Sequence, residues 1–251
     1  MIDRQLREMI AQMIMVGFKE AELAANPFIV RAIKEFCLGG VILYNIDLKC
    51  GLEEQKKRPD LTPVEMARIC PRNIISLDQL RNLTSGLQSY SKNRLLIAVD
   101  QEGGQGSRLG PAAGFPETES PKALGEKSDL AVTAKAAKTI ATDLRRSGIN
   151  LNLAPVVDLS LNPEGLIAKN GRSFGSDPNL VYRQAKAFIL AHRQQGILTT
   201  LKHFPGKGSA AEDTHLQVAD VTSSYQLQEL YPFSWLIEEG LADAVMTAHI
   251  L

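Results

Sequence analysis

The sequence predicts an α/β fold on a parallel sheet, closed as a barrel. Two observations make the class. Short apolar, β-rich runs recur along the chain, separated by segments whose apolar residues fall at the three- and four-residue spacing of a helix. The runs are also nearly continuous in their apolarity, as strands are when a parallel sheet is covered by crossover helices. A third observation favours a barrel over a doubly wound sheet. Nearly every run ends, on its C-terminal side, in polar residues able to carry chemistry, and a barrel collects its chemistry on that face.

Six runs are expected as strands: MIMVGF at 13–18, GGVILY at 39–44, RLLIAVD at 94–100, INLNLAPVVDL at 149–159 (strand 149–154), ILTTLKHF at 197–204 and DAVMTAHI at 243–250. Their polar ends are Asn45 and Asp47, Asp100-Gln101-Glu102, Asp158, Lys202-His203, and His249. The intervening stretches Asn26–Phe36, Leu77–Tyr90, Asp129–Arg146, Pro178–Gln195 and Ser224–Gly240 have the helical period. Two connections exceed the usual βα length. Residues 45–76 are expected to be a long polar loop insertion, a lid or an idle one. Residues 160–177, rich in Gly, Asn and Ser, lie where barrel loops carry function.

A chain of 251 residues suits one large α/β core, and a composition of 44% hydrophobic and 22% charged residues is that of a soluble globular protein. Basic and acidic residues balance at 28 each, which argues against a nucleic acid or an anionic membrane surface as partner. Cys37, Cys50 and Cys70 are odd in number and lack metal spacing, so reduced thiols are expected and no zinc site. The first residues mix charges into their apolar positions and no run spans a bilayer, so a cytoplasmic location is expected.

Residues 202–216, KHFPGKGSAAEDTHL, concentrate the chemistry. Asp213 stands two residues before His215, and a carboxylate beside an imidazole fixes its tautomer and tunes it for proton exchange near neutrality. Most bare D-x-H pairs are solvated loop residues. Here Pro205, Gly206 and Gly208 set a turn directly after a strand, so residues 205–216 are expected to form a mobile loop over the strand ends. Lys202 and His203 close the strand itself and are candidate donors to substrate hydroxyls; the plainer alternative is a snorkelling lysine beside a core histidine. In AVDQEGGQGSRL, Asp100 can accept from vicinal hydroxyls and Arg108 can donate a planar fork; Arg172, in GRSFG, is a candidate of the same kind. No Walker or dinucleotide pattern fits these glycines.

AVDQEGG, NLAPVVDL, GRSFGSDP and KHFPGKG…DTH, in this order, resemble the N-terminal barrel domain of glycoside hydrolase family 3, most closely its β-N-acetylglucosaminidase branch. The resemblance implies a TIM-type (β/α)8 barrel, with about six of eight βα units in residues 1–251. It implies a glycoside hydrolase that removes terminal GlcNAc from peptidoglycan-derived or chitin-like saccharides with retention, without metal or cofactor, and as a monomer. It places sugar binding on Asp100, Arg108, Arg172, Lys202 and His203, and the acid/base role on His215 with Asp213 as partner. Lys207 in place of a His and Gln105 in place of an Arg depart from the family pattern and bear on substrate preference. The family nucleophile, an aspartate in an S-D-D-like motif after the seventh strand, has no match here: Ser128-Asp129 opens a helix and Asp243 opens a strand. Residue 251 is therefore not expected to be the natural end, and these residues alone are expected to lack turnover. A phosphorylase of the same branch and a sugar-binding pseudoenzyme are the alternative readings.

Overall fold

The structure, a computed structural model, describes residues 3–23, 27–211 and 219–251. The chain divides into two compact units, Met1–Val99 with Arg108–Pro116 and Asp143–Leu151, and Asp100–Ser107 with Glu117–Thr142 and Asn152–Leu251. The strands follow one another in the sheet in chain order, β1 to β6, and the pairs β1–β2, β2–β3 and β5–β6 run parallel. This is the topology of the predicted fold class.

The first unit runs α1 (Arg4–Gln12), β1 (Met15–Gly17), α2 (Pro27–Phe36), β2 (Gly40–Ile42), α3 (Leu48–Lys57), α4 (Pro63–Ile69), α5 (Leu77–Tyr90) and β3 (Leu96–Val99). Met15 pairs with Gly40 and Gly40 with Leu96, placing Val41 and Ile97 in a core with Ile33, Leu80 and Leu87. Buried Asn73 ties the strand ends together. Its Oδ1 accepts from the Tyr44 N–H at 3.3 Å, and its Nδ2 donates to the carbonyls of Phe18 at 3.2 Å and Glu20 at 2.8 Å.

Residues 45–76 are not the open loop expected. They fold as α3, capped by the Asp47 carboxylate accepting from the Cys50 N–H at 2.9 Å, and α4, opened by Pro63 and a Thr62–Glu65 capping box. The segment LKCGLEEQKK buries only Gly51, so it lacks the apolar stripe by which a helix is read from sequence. Its caps were the legible signal. The thiol expectation is corrected too: Cys50 and Cys70 form a disulfide, and Cys37 is the free, buried third. An odd count excludes complete pairing but not one bond, and two helices bring together cysteines 20 residues apart.

The second unit contains α6 (Pro121–Lys127), α7 (Leu130–Arg146), β4 (Leu151–Asn152), α8 (Leu166–Lys169), α9 (Pro178–Gln194), β5 (Leu198–Phe204), α10 (Tyr231–Glu238) and β6 (Ala244–Thr247), the ends of α7 and β4 reaching into the first unit. The run 149–159 yields only two strand residues. Pro155 has no N–H for a ladder, and the chain beyond it stays extended through an isolated bridge from Val156 to Lys202. The core packs α9 and α10 on β5 through Val181, Ile189, Leu201, Phe233 and Leu236, with the Phe204 and Phe233 rings edge to face at 5.5 Å. Asp243 anchors rather than reacts, accepting from the N–H and hydroxyl of Thr199 and from Arg193. No helix among the described residues is long and apolar enough to cross a membrane.

Phe233 is fully buried whereas Phe28 is 69% exposed. Phe233→Ala is expected to cost about 3–5 kcal/mol of unfolding free energy and Phe28→Ala less than about 0.5 kcal/mol, measured by urea denaturation. Equal costs would contradict the packing described.

Candidate active site

The site lies in the second unit and begins where β3 ends. Asn152 fixes Gln101 from both sides: its Oδ1 accepts from the Gln101 N–H and its Nδ2 donates to the Gln101 carbonyl, each at 3.0 Å. The same Nδ2 lies 3.0 Å from Nε2 of His192, whose Nδ1 is 2.9 Å from the Phe188 carbonyl. Burial lowers the His192 pKa to about 4, against the Phe188 carbonyl, so the ring is neutral, donates from Nδ1 and accepts at Nε2. This buried, neutral polar support holds the backbone between Asp100 and Glu102.

From that backbone two carboxylates meet one lysine. Lys202 Nζ, near the end of β5, lies 2.7 Å from Asp100 Oδ1 and 2.6 Å from Glu102 Oε1. Arg172 completes the row: Nε donates to Glu102 Oε2 at 2.8 Å and Nη2 to Oε1 at 2.7 Å, a bidentate fork. Gly106 makes room, since a Cβ there would stand 2.5 Å from Glu102 Oε2. Burial alone would raise the Glu102 pKa; the Lys202 ammonium and the Arg172 guanidinium outweigh it and hold the carboxyl at about 2.

A second pair stands beside the row. The Asp158 carboxylate, wholly buried, accepts from the N–H groups of His203 at 3.2 Å and Lys207 at 3.0 Å through Oδ1, and from His203 Nδ1 at 2.6 Å through Oδ2. Those donors overcome burial and lower the Asp158 pKa. The His203 pKa is lowered as well: burial favours the neutral ring, Asp158 opposes it, and Lys202 and Lys207 add to the effect of burial. The neutral ring then donates a hydrogen bond from Nδ1–H to Asp158 and keeps Nε2 as an acceptor. The register shift between Lys202 and Phe204 marks His203 as a bulge residue, and the Lys202–His203 peptide is cis. Such a bulge re-aims side chains at a strand end, which is how consecutive residues both join the polar cluster.

Exposure sorts these groups by depth. The side chains of Glu102, Lys202 and Asp158 are at most 2% accessible, whereas Asp100 and Arg172 reach 17% and His203 12%. The cluster therefore presents a rim of a carboxylate, a guanidinium and an imidazole over a base of fixed charges.

Of the expected site residues, Asp100, Arg172, Lys202 and His203 come together. Arg108 belongs to the first unit, in Arg108–Pro116. Asp213 and His215 lie outside the described residues. The turn before them is pinned rather than loose. The Gly206 N–H donates to the His203 carbonyl at 2.8 Å and the Gly208 N–H to the Glu229 carboxylate at 2.7 Å, and a Cβ on Gly208 would lie 1.7 Å from the Leu159 carbonyl oxygen. Sequence reasoning assigned no role to Glu102, Asp158, Asn152, His192 or Glu229. Both site carboxylates were visible as acids ending apolar runs, and a lysine closing an apolar strand demands such partners.

The family model of the glycosyl hydrolase family 3 N-terminal domain matches residues 5–251. The chain belongs to glycosyl hydrolase family 3. Among its relatives, a beta-hexosaminidase of Hydrogenovibrio crunogenus is 38% identical over 221 residues, covering 84% of this chain and 60% of the relative. Another beta-hexosaminidase, from Xylella fastidiosa, is 38% identical over 187 residues, 72% of this chain and 55% of the relative. The chain thus spans a little over half the length of these curated relatives. Among solved structures, a family 3 beta-N-acetylglucosaminidase from a Paenibacillus superposes with a TM-score of 0.79 at 31% identity, over 98% of this chain and 42% of that one. NagZ of Neisseria gonorrhoeae in complex with N-trifluoroacetyl-D-glucosamine superposes with a TM-score of 0.76 at 26% identity, over 95% of this chain and 63% of that one.

The depressed Glu102 pKa has a signed consequence. The folded value, about 2, lies below the unfolded value of about 4.3, so the ionised carboxylate contributes stability above the unfolded pKa that is lost as pH falls toward the folded one. Glu102→Gln removes that contribution. Wild type is expected to exceed the variant by up to about 3 kcal/mol at pH 7, with the gap narrowing between about pH 4.5 and pH 2 in urea unfolding. A gap independent of pH would contradict the ion row.

Proposed function

We propose that the whole protein is a retaining exo-β-N-acetylglucosaminidase acting on terminal GlcNAc of peptidoglycan-derived or chitin-like saccharides. The observation that carries this reading is the rim of Asp100, Arg172 and His203 over the buried Lys202, Glu102 and Asp158. A pyranose presents adjacent hydroxyls, each both donor and acceptor, and the rim matches them with a carboxylate, a guanidinium and an imidazole acceptor. The base keeps the rim in place without reorganisation during reaction, which is the form of catalytic electrostatics that costs least in the transition state.

A retaining glycosidase protonates a leaving oxygen and then deprotonates water with the same group. In this reading His215 performs both transfers, and Asp213 holds its tautomer and stabilises its charged form. The nucleophile is a carboxylate to which no residue of this chain is assigned. Support comes from family membership and from the names of the relatives, two beta-hexosaminidases and a beta-N-acetylglucosaminidase.

His215→Ala in the whole protein is expected to lower kcat on a natural GlcNAc glycoside by about 10²–10⁴, with a smaller loss for Asp213→Asn and sugar affinity retained in both. Undiminished turnover by the His215 variant would remove the assignment. Product formed only when phosphate is present would replace hydrolase by phosphorylase.

A further inference from the structure

Beyond its capped N-terminus at Asp47, the helix α3 is held by little besides a covalent bond. Of its ten residues only Gly51 is buried, while Leu48 and Leu52 are 69% and 52% exposed. A helix of this length is marginal in water without tertiary packing. Its ion pairs, Glu54 with Lys57 and Arg58, are local and exposed and so contribute little. The far side of the segment is better anchored. Cys70 is 2% exposed at the end of α4, its carbonyl accepts from the Asp47 N–H at 2.8 Å, and Ile46 and Pro71 form an antiparallel bridge. The Cys50–Cys70 disulfide joins the weakly packed helix to that anchored end, closing a loop of 20 residues.

We infer that this disulfide, rather than packing, keeps α3 in place, so that residues 48–57 form a redox-conditional element and the protein works where protein thiols are oxidised. Formation is balanced as two thiols giving up two protons and two electrons to the disulfide of a thiol–disulfide oxidoreductase, which becomes a dithiol. Such bonds persist in oxidising compartments and are rare in the cytosol, which places the inference against the cytoplasmic location expected from the sequence. The consequence of reduction is local. An apolar groove of about 250 Å³ between α3 and α4, lined by Ile46, Leu52, Leu61 and Met66, lasts only while the bond does. The helix α5 does not share that dependence, because it buries Leu80, Leu83, Thr84 and Leu87.

Two measurements on the whole protein test this. In hydrogen–deuterium exchange with mass detection, amides of 48–57 are expected to exchange at least about tenfold faster after phosphine reduction, and in Cys50→Ser/Cys70→Ser, while those of α5 are unchanged. Unaltered exchange of 48–57 in the reduced protein would overturn the inference even if the double variant fails to fold. In cells that make the protein naturally, acid quenching, alkylation in denaturant and peptide mapping are expected to find Cys37 alkylated and Cys50 and Cys70 protected. Alkylated Cys50 and Cys70 would overturn the assignment to an oxidising compartment.

Discussion

The site depends on one ammonium group buried between two carboxylates. Lys202 Nζ reaches Asp100 and Glu102 at 2.7 and 2.6 Å while almost wholly withdrawn from water. An isolated charge in that position would cost several kcal/mol in lost hydration. It is tolerable because the row alternates in sign, from Asp100 through Lys202 and Glu102 to Arg172, so that each charge has an opposite neighbour. The same alternation makes the row unforgiving. Deleting any inner member strands its partners, and a break in a buried pair typically costs about 3–5 kcal/mol. Replacing charges with well-packed apolar groups would often cost nothing, so the row is weak evidence for stability and better evidence for a site that holds a polar ligand.

The fold serves this row by bringing chain segments far apart in sequence to one place. Asp100 and Glu102 follow β3, Arg172 lies between α8 and α9, and Lys202 lies near the end of β5; Lys202 and Asp100 are 102 positions apart. Parallel strands with helical crossovers end on the same side, so each strand end delivers one polar cluster. Behind them the support is polar but neutral. Asn152 satisfies both backbone groups of Gln101 and the ring of His192, leaving the strand end little freedom to shift.

Much of this was legible in the sequence. All six strands fall inside the expected apolar runs, and the five long helical stretches contain helices, because hydrophobic period reports burial directly. Asp100, Arg172, Lys202 and His203, expected together at the strand ends, do come together. Failures have physical causes. The helices α1 and α3 bury too little to leave a period, α4, α6 and α8 are short, and Pro155 cannot extend the ladder of β4. The roles of Glu102 and Asp158 depend on partners 70 and 45 positions away, a pairing that no local pattern carries. Depth was also invisible. Nothing in AVDQEGG distinguishes Asp100 at the rim from Glu102 beneath it; only the fold does.

The central claim is that the rim above the buried ion row grips a terminal GlcNAc. A crystal structure of the whole protein bound to GlcNAc tests it most directly. The account requires sugar hydroxyls within about 3.2 Å of the Asp100 carboxylate, the Arg172 guanidinium and His203 Nε2, with the Lys202–Glu102–Arg172 row unchanged beneath them. A sugar seated elsewhere, or a row that breaks apart to admit it, would contradict the account.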